Sequence, residues 1–258
     1  MAVSAWSSAQ LAGTAVCGLL AHELETHRPG PDFIPARFTV DLFSPVLNEP
    51  IELHSSIVRD GNRIRVADAA IVQHDRVRAR ACVQFLAASV EPPGAIWRPV
   101  QDHLPVPGDR LDRPEGSPPL FKSGSQDWTH DFASGANPLR KAVWHNLPPL
   151  IDGTPITPFE RAAFVSDATN LVCNWGSEGV GYINTDVTMT LFRLPETPEL
   201  GLFAQDHVSA NGIATATATL YDRAGRLGAC SITALSNARR QVDLAAFAEA
   251  QSFPASAN

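Results

Sequence analysis

Two stretches of this chain repeat each other in the same order at a separation of about 150 residues. Leu42-Phe43-Ser44, just before Pro45, matches Leu191-Phe192-Arg193, shortly before Pro195. Val58-Arg59-Asp60-Gly61-Asn62 matches Val208-Ser209-Ala210-Asn211-Gly212, and Ala81-Cys82 matches Ala229-Cys230. A repeat of this length means one supersecondary block built twice, each copy burying its apolar face with the help of the other.

Within each copy the hydrophobic period changes once, from helical to strand-like. From Ser7 to about Glu25, Leu11, Ala15 and Leu19 recur at helical spacing beside Ala12, Val16 and Leu20, and Ser7-Ser8-Ala9-Gln10 has the form of a capping box. Thr157-Pro158-Phe159-Glu160 opens the corresponding helix, with proline at its favoured first position. Runs rich in Val, Ile, Thr and Phe then predict strands over 33–43, 50–59, 63–73 and 77–87, and again over 181–193, 200–209, 212–221 and 227–236. Asp60-Gly61-Asn62, Ala210-Asn211-Gly212 and Asp222-Arg223-Ala224-Gly225 supply the turn residues of antiparallel hairpins. The class is α+β, one helix per antiparallel meander.

Residues 92–119 hold eight prolines, a density that sustains neither helix nor ladder. The expected organisation is an N-terminal unit over 1–91 with its first strand missing or short, a proline-rich linker over 92–124, and a second unit over 125–258 ending in a C-terminal tail. One or two further strands are expected in 128–147.

At 258 residues and 44% hydrophobic content the chain can bury a core unaided. Its 20 basic against 27 acidic residues, with no basic run, argue against a nucleic-acid groove. No apolar stretch approaches membrane-spanning length and the opening residues lack a basic secretion signal, so the expected setting is the cytoplasm, with no membrane partner. Cys17, Cys82, Cys173 and Cys230 stand singly and the eight histidines are scattered, giving no metal-ligand spacing. No G-x-S-x-G elbow, dinucleotide fingerprint or P-loop occurs. Neither metal nor cofactor is expected.

The duplicated unit resembles the double hotdog fold, and its motifs are similar to those of the acyl-CoA thioesterase II family and its actinobacterial relatives. The motifs are Trp6-Ser7-Ser8-Ala9-Gln10-Leu11-Ala12-Gly13, the Arg59-Asp60-Gly61-Asn62 hairpin, and the stretch from Phe159 to Arg239 through Ser166-Asp167 and Ile183-Asn184-Thr185-Asp186. The resemblance implies hydrolysis of an acyl-CoA thioester by water, held by a helix Asp, a strand Thr and a Gln on a late strand. It also implies backbone N–H groups near the second helix as an oxyanion hole.

Carried over residue by residue, the acid is Asp167, four residues after Ala163 and eight after Phe159 and thus on an apolar helix face. A carboxylate there is expected to have a raised pKa, which suits a general base. Its partner is either Asn184 or Thr185, since alternation lets only one of them point to Asp167. Ala229-Cys230-Ser231-Ile232-Thr233-Ala234 lacks the family Gln, with Ile232 or Thr233 in its place, and Thr233 alone of these two carries a hydroxyl. Gln10, Gly13 and Gln84 complete the set as substrate-binding candidates; Gln84 is taken as the counterpart of Ile232 unless it simply faces outward, and Gln10 also suits a capping-box role. The expected function is an acyl-CoA thioesterase; the alternative is a catalytically degenerate hotdog protein that binds an acyl thioester without rapid turnover. A homo-oligomer is expected because the sheet face opposite the helices needs cover.

Overall fold

The computed structural model describes residues 4–98, 103–108, 114–239, 241, 242 and 244; the C-terminal tail otherwise lies outside the described residues. The first repeat contains α1 (Gly13–Glu25), β1 (Phe33–Leu42), β2 (Glu52–Arg59), β3 (Ile64–Gln73) and β4 (Arg76–Ala87). Next come β5 (Leu120–Ser123), a 3₁₀ turn (Ala133–Gly135) and β6 (Lys141–Asn146). Then follow α2 (Pro158–Asp167), α3 (Thr169–Asn174), and the small hairpin β7 (Trp175–Gly176) and β8 (Gly179–Val180). The chain continues through β9 (Tyr182–Asn184), β10 (Asp186–Leu191), β11 (Glu199–Ala210), β12 (Ile213–Asp222) and β13 (Gly225–Ser236).

Eleven strands form one sheet in the order β2-β3-β4-β1-β10-β13-β12-β11-β6-β5, with β9 added beside β13. The repeats join edge to edge at β1 and β10, antiparallel from Arg37 opposite Thr190 to Asp41 opposite Asp186. This closure removes the open edge that either repeat would otherwise present.

Matching β-bulges fix the alignment of the repeats. The ladder slips between Ile71 and Val72, opposite Ala79 and Val77, and again between Leu220 and Tyr221, opposite Gly228 and Arg226. Each such pair of positions, Ile71 with Leu220 or Ala79 with Gly228, is 149 residues apart. The match of Cys82 to Cys230 is therefore one residue out. A one-residue slip exchanges the faces of a strand, and Cys230 lies on the buried face while Cys82 lies on the other.

The helices pack on one face, antiparallel to each other. His22 Nδ1 lies 2.7 Å from Glu160 Oε1, and the Thr157 hydroxyl donates to Glu25. Both helices reach across the repeat boundary. Phe159 of α2 meets Phe38 of β1 edge-on at 5.5 Å and Phe85 of β4 at 6.4 Å, and all three rings are fully buried. Burying one such side chain contributes roughly 1.5–3 kcal/mol.

At the start of α2, Thr157 and Glu160 form a reciprocal capping box. The one expected at Ser7 is not formed: α1 begins at Gly13, and Ala12, at its N-cap, offers no side-chain bond. The preceding backbone is used in pairing instead, with Leu11 N–H donating to Val46 O, Asn48 N–H to Ala9 O, and Gln10 bridged to Leu47.

In the span 92–124, residues 103–108 strap the outer sheet face. Tyr221 Oη donates to Pro105 O at 2.5 Å, Arg223 donates to Pro107 O at 3.1 Å, and Leu104 packs on Leu120, Trp144 and Tyr221. The strand β5 also falls in this span and pairs with β6, so 128–147 contains one strand and its neighbour precedes it.

Candidate active site

Asp167 is the last residue of α2 and is partly buried. Asn184 Nδ2 donates to its Oδ1 at 2.8 Å, the one hydrogen bond to this carboxylate among the described residues. The carboxyl group lies with both oxygens against the first turn of α1: a Cβ built on Gly13 would lie 2.5 Å from Oδ2 and 2.7 Å from Oδ1. Burial pushes the Asp167 pKa up, and the bond from Asn184 offsets this in part. Cys17, fully buried on α1, has its thiol pKa raised well above the usual value, first by burial and next by the charge of Asp167. The carboxylate thus faces a neutral thiol, an amide and a helix start.

Sheet alternation decides between Asn184 and Thr185. Asn184 pairs with Ala234, which shares the buried face of β13 with Cys230 and Ile232. Thr185 is turned away, its N–H and hydroxyl both donating to Thr233 O at 2.9 and 3.3 Å. The structure does not bring Thr233 to Asp167 either. Its side chain lies on the exposed face, where its N–H donates to Asp186 Oδ1 at 2.8 Å and its hydroxyl donates to the same oxygen. The inward position is Ile232, 3% exposed and without hydrogen-bonding capacity.

Gln84 lies on the outer face of β4, between the fully buried Val83 and Phe85. With the 149-residue offset its counterpart is Thr233, and that of Ile232 is Val83. Gln10 serves as a backbone bridge rather than a capping residue. Gly13 does reach Asp167.

The same offset carries Asp167 to Gly18, Asn184 to Pro35 and Ile232 to Val83. A Cβ on Gly18 would lie 2.5 Å from Leu150 Cδ1, so an aliphatic side chain faces the place equivalent to the carboxylate. The pseudo-symmetric site is therefore apolar, and the polar groups occur once.

The uncapped start of α1 is the feature that motif reading missed. The start of α2 is closed by its own capping box, whereas the first-turn N–H groups of α1 have no side-chain cap and lie beside Asp167. Such groups carry partial positive charge suited to a developing oxyanion. The signal in the sequence was Gly13 itself, a residue that permits close approach.

Among the described residues no three His, Cys, Asp or Glu side chains are grouped to hold a metal ion, and no helix is long and apolar enough to cross a membrane. A cavity opens between Phe132 and Trp175, beyond the end of α3, and Asp167 does not line it.

Comparison with known proteins matches residues 3–87 to the acyl-CoA thioesterase N-terminal domain and residues 100–233 to the acyl-CoA thioesterase C-terminal domain. The chain belongs to the acyl-CoA thioesterase family. Among solved structures it is similar to the TesB protein of Mycobacterium avium subspecies paratuberculosis, at 14% identity and TM-score 0.65 over 88% of this chain and 87% of that one. It is also similar to an acyl-CoA thioesterase II, TesB2, of Mycobacterium marinum, at 17% identity and TM-score 0.62 over 87% and 90%. A conserved protein with a hot dog fold from Alicyclobacillus acidocaldarius follows at 13% identity and TM-score 0.55 over 90% and 88%. The fold is a double hotdog. No curated protein is matched.

Proposed function

We propose that this protein hydrolyses an acyl-CoA thioester, with Asp167 as general base. The observation that carries the reading is a partly buried carboxylate with a raised pKa, bonded at Oδ1 by Asn184 and packed against the uncapped start of α1. Asp167 takes a proton from water as the water oxygen attacks the thioester carbonyl carbon. The carbonyl electron pair moves onto oxygen, where first-turn N–H groups of α1 stabilise it. The C–S bond then breaks, and the proton passes from Asp167 to the leaving thiolate. Asn184 keeps the carboxylate oriented, and no covalent enzyme intermediate or cofactor takes part.

Ile232 favours a second reading, in which the protein binds an acyl thioester without rapid turnover, because the water loses one of its expected polar contacts. Thiol release across a panel of acyl-CoA chain lengths separates the two. Turnover lost in Asp167→Asn with retained acyl-CoA binding supports hydrolysis; binding with no thiol release from the unmodified protein replaces it with the second reading.

The protein is further proposed to act in the cytoplasm as a homo-oligomer. The exposed cross-strand pair Ile213 and Leu235, 61% and 48% accessible on the outer sheet face, supports a covering partner. Sedimentation giving only monomer at micromolar concentration would count against assembly.

A further inference from the structure

Asn170 and Asn174 stand four residues apart on one side of α3, only 8% and 7% exposed. Asn170 Nδ2 donates to Tyr182 O at 3.1 Å, and Asn174 Nδ2 donates to Asn170 Oδ1 at 2.7 Å. Asn174 Oδ1 then lies 2.9 Å from His207 Nδ1, on the exposed part of β11. The direction of the chain is fixed by chemistry. A carbonyl only accepts, so each amide must donate toward Tyr182 and accept from the side of His207. His207 therefore carries a proton on Nδ1, which its Nδ1-protonated neutral form and its cation both provide. Its Nε2 lies 3.3 Å from Ser209 Oγ, and its ring meets the Tyr182 ring at 5.8 Å.

We propose that Asn170 and Asn174, anchored on His207, are positioning residues that seat β9 so that Asn184 meets Asp167. The strand is three residues long and continues through Thr185 into β10; among the described residues it pairs on one side, through Tyr182, Ile183 and Asn184 with β13. Asn170 holds it from the helix layer, at a carbonyl two residues before Asn184. Two buried amides are a costly way to fill space unless both ends are bonded, and here both are. The contact they control is sensitive. A hydrogen bond of 2.8 Å is lost once the atoms separate to about 3.6 Å, so a displacement of β9 by less than an ångström would release Asp167. The inference rests on Asp167 being the working carboxylate of the proposed reaction, yet its test reads the carboxylate itself.

The experiment is a pH titration of the Asp carboxyl carbons by ¹³C NMR on the full chain, with Asp167 assigned by the signal missing in Asp167→Asn. The groups facing this carboxylate are Asn184 from β9, Cys17 from α1 and the start of α1, so the amide of Asn184 is what the variants remove. Asn184→Leu should raise the Asp167 midpoint. Asn170→Leu and Asn174→Leu should each raise it by at least half as much, His207→Leu should raise it less, and His207→Gln, which keeps a donor to Asn174, should restore it. Folded Asn170→Leu and Asn174→Leu proteins with an unmoved midpoint, whatever their melting temperature, overturn the proposal. If those buried substitutions prevent folding, His207→Leu against His207→Gln decides it from the surface: equal midpoints overturn it. Thiol release measured on the same samples keeps the two readings apart, since a shifting carboxyl in a protein that never releases thiol refutes hydrolysis and leaves the positioning role intact.

Discussion

Gly13 and Asp167 come from different repeats and touch: a single carbon added to Gly13 would stand 2.5 Å from the Asp167 carboxylate. The helix start and the acid are thus brought together by the duplication, and neither repeat alone contains the site.

Gly13→Ala should drive the carboxylate off Asn184. A reacting group misplaced by about 1 Å can lose on the order of 10² in rate. Leaving a buried carboxylate without its hydrogen bond should also cost stability, on the order of 1–3 kcal/mol. Thiol-release kinetics together with chemical denaturation test this, and unchanged turnover would remove Gly13 from the site.

Asp167→Asn should lower turnover by roughly 10²–10⁴. In the unmodified protein the rate of thiol release should rise with pH as Asp167 ionises. Stability should move the other way. Burial raises the folded-state pKa above the unfolded value, so the folded protein keeps a proton that the unfolded chain has lost. This group's contribution is fully present below the ordinary carboxylate range and is lost as pH rises through the raised pKa. Asp167→Asn should accordingly melt higher than the unmodified protein at neutral pH, the gap closing below about pH 4. Calorimetry at several pH values checks the sign.

Ile232→Gln places an amide on the inward face of β13, whereas Thr233→Gln places one on the outward face. The first should raise turnover and cost stability through its buried amide; the second should change neither appreciably. A rate increase in Thr233→Gln alone would mean that the water is held from another direction.

Arg193→Met tests the frame around the second repeat. Arg193 donates to both oxygens of Asp222, at 3.0 and 2.7 Å, and the Asp222 side chain is fully buried. Burial pushes that carboxyl up, but the bonds from Arg193, Glu196 N–H and Ala224 N–H outweigh it and hold the pKa below the usual range. Removing the guanidinium should cost about 3–5 kcal/mol, because a buried charge is left unpaired. Urea denaturation measures it.

The strands were legible in the sequence because alternation and turn residues are local signals, and the second helix because its capping box is complete within four residues. The start of α1 was not. Ser7-Ser8-Ala9-Gln10 satisfies the pattern, but Gln10 and Leu11 pair with residues 46 and 47, a contact across some 35 residues that no local motif contains. At the site, Asp167 stood out as an acid on an apolar face, while the choice of Asn184 over Thr185 required the register with Ala234. The repeat alignment slipped by one at Cys82, where two cysteines match by chance and the bulges that set the true register leave no mark in the sequence. Asn170 and Asn174 carry helical spacing, yet nothing in the sequence points from them to His207.

Leu150 against Gly18 has an evolutionary consequence. In an assembly of two identical chains every substitution is made twice, so a change that fills one site fills both. Once two units are fused into a single chain, each half mutates on its own, and one can become scaffold while the other keeps the acid. The leucine beside Gly18 fits that freedom: the first repeat supplies a helix start, strands and packing, and an aliphatic side chain stands where the second repeat has its carboxylate.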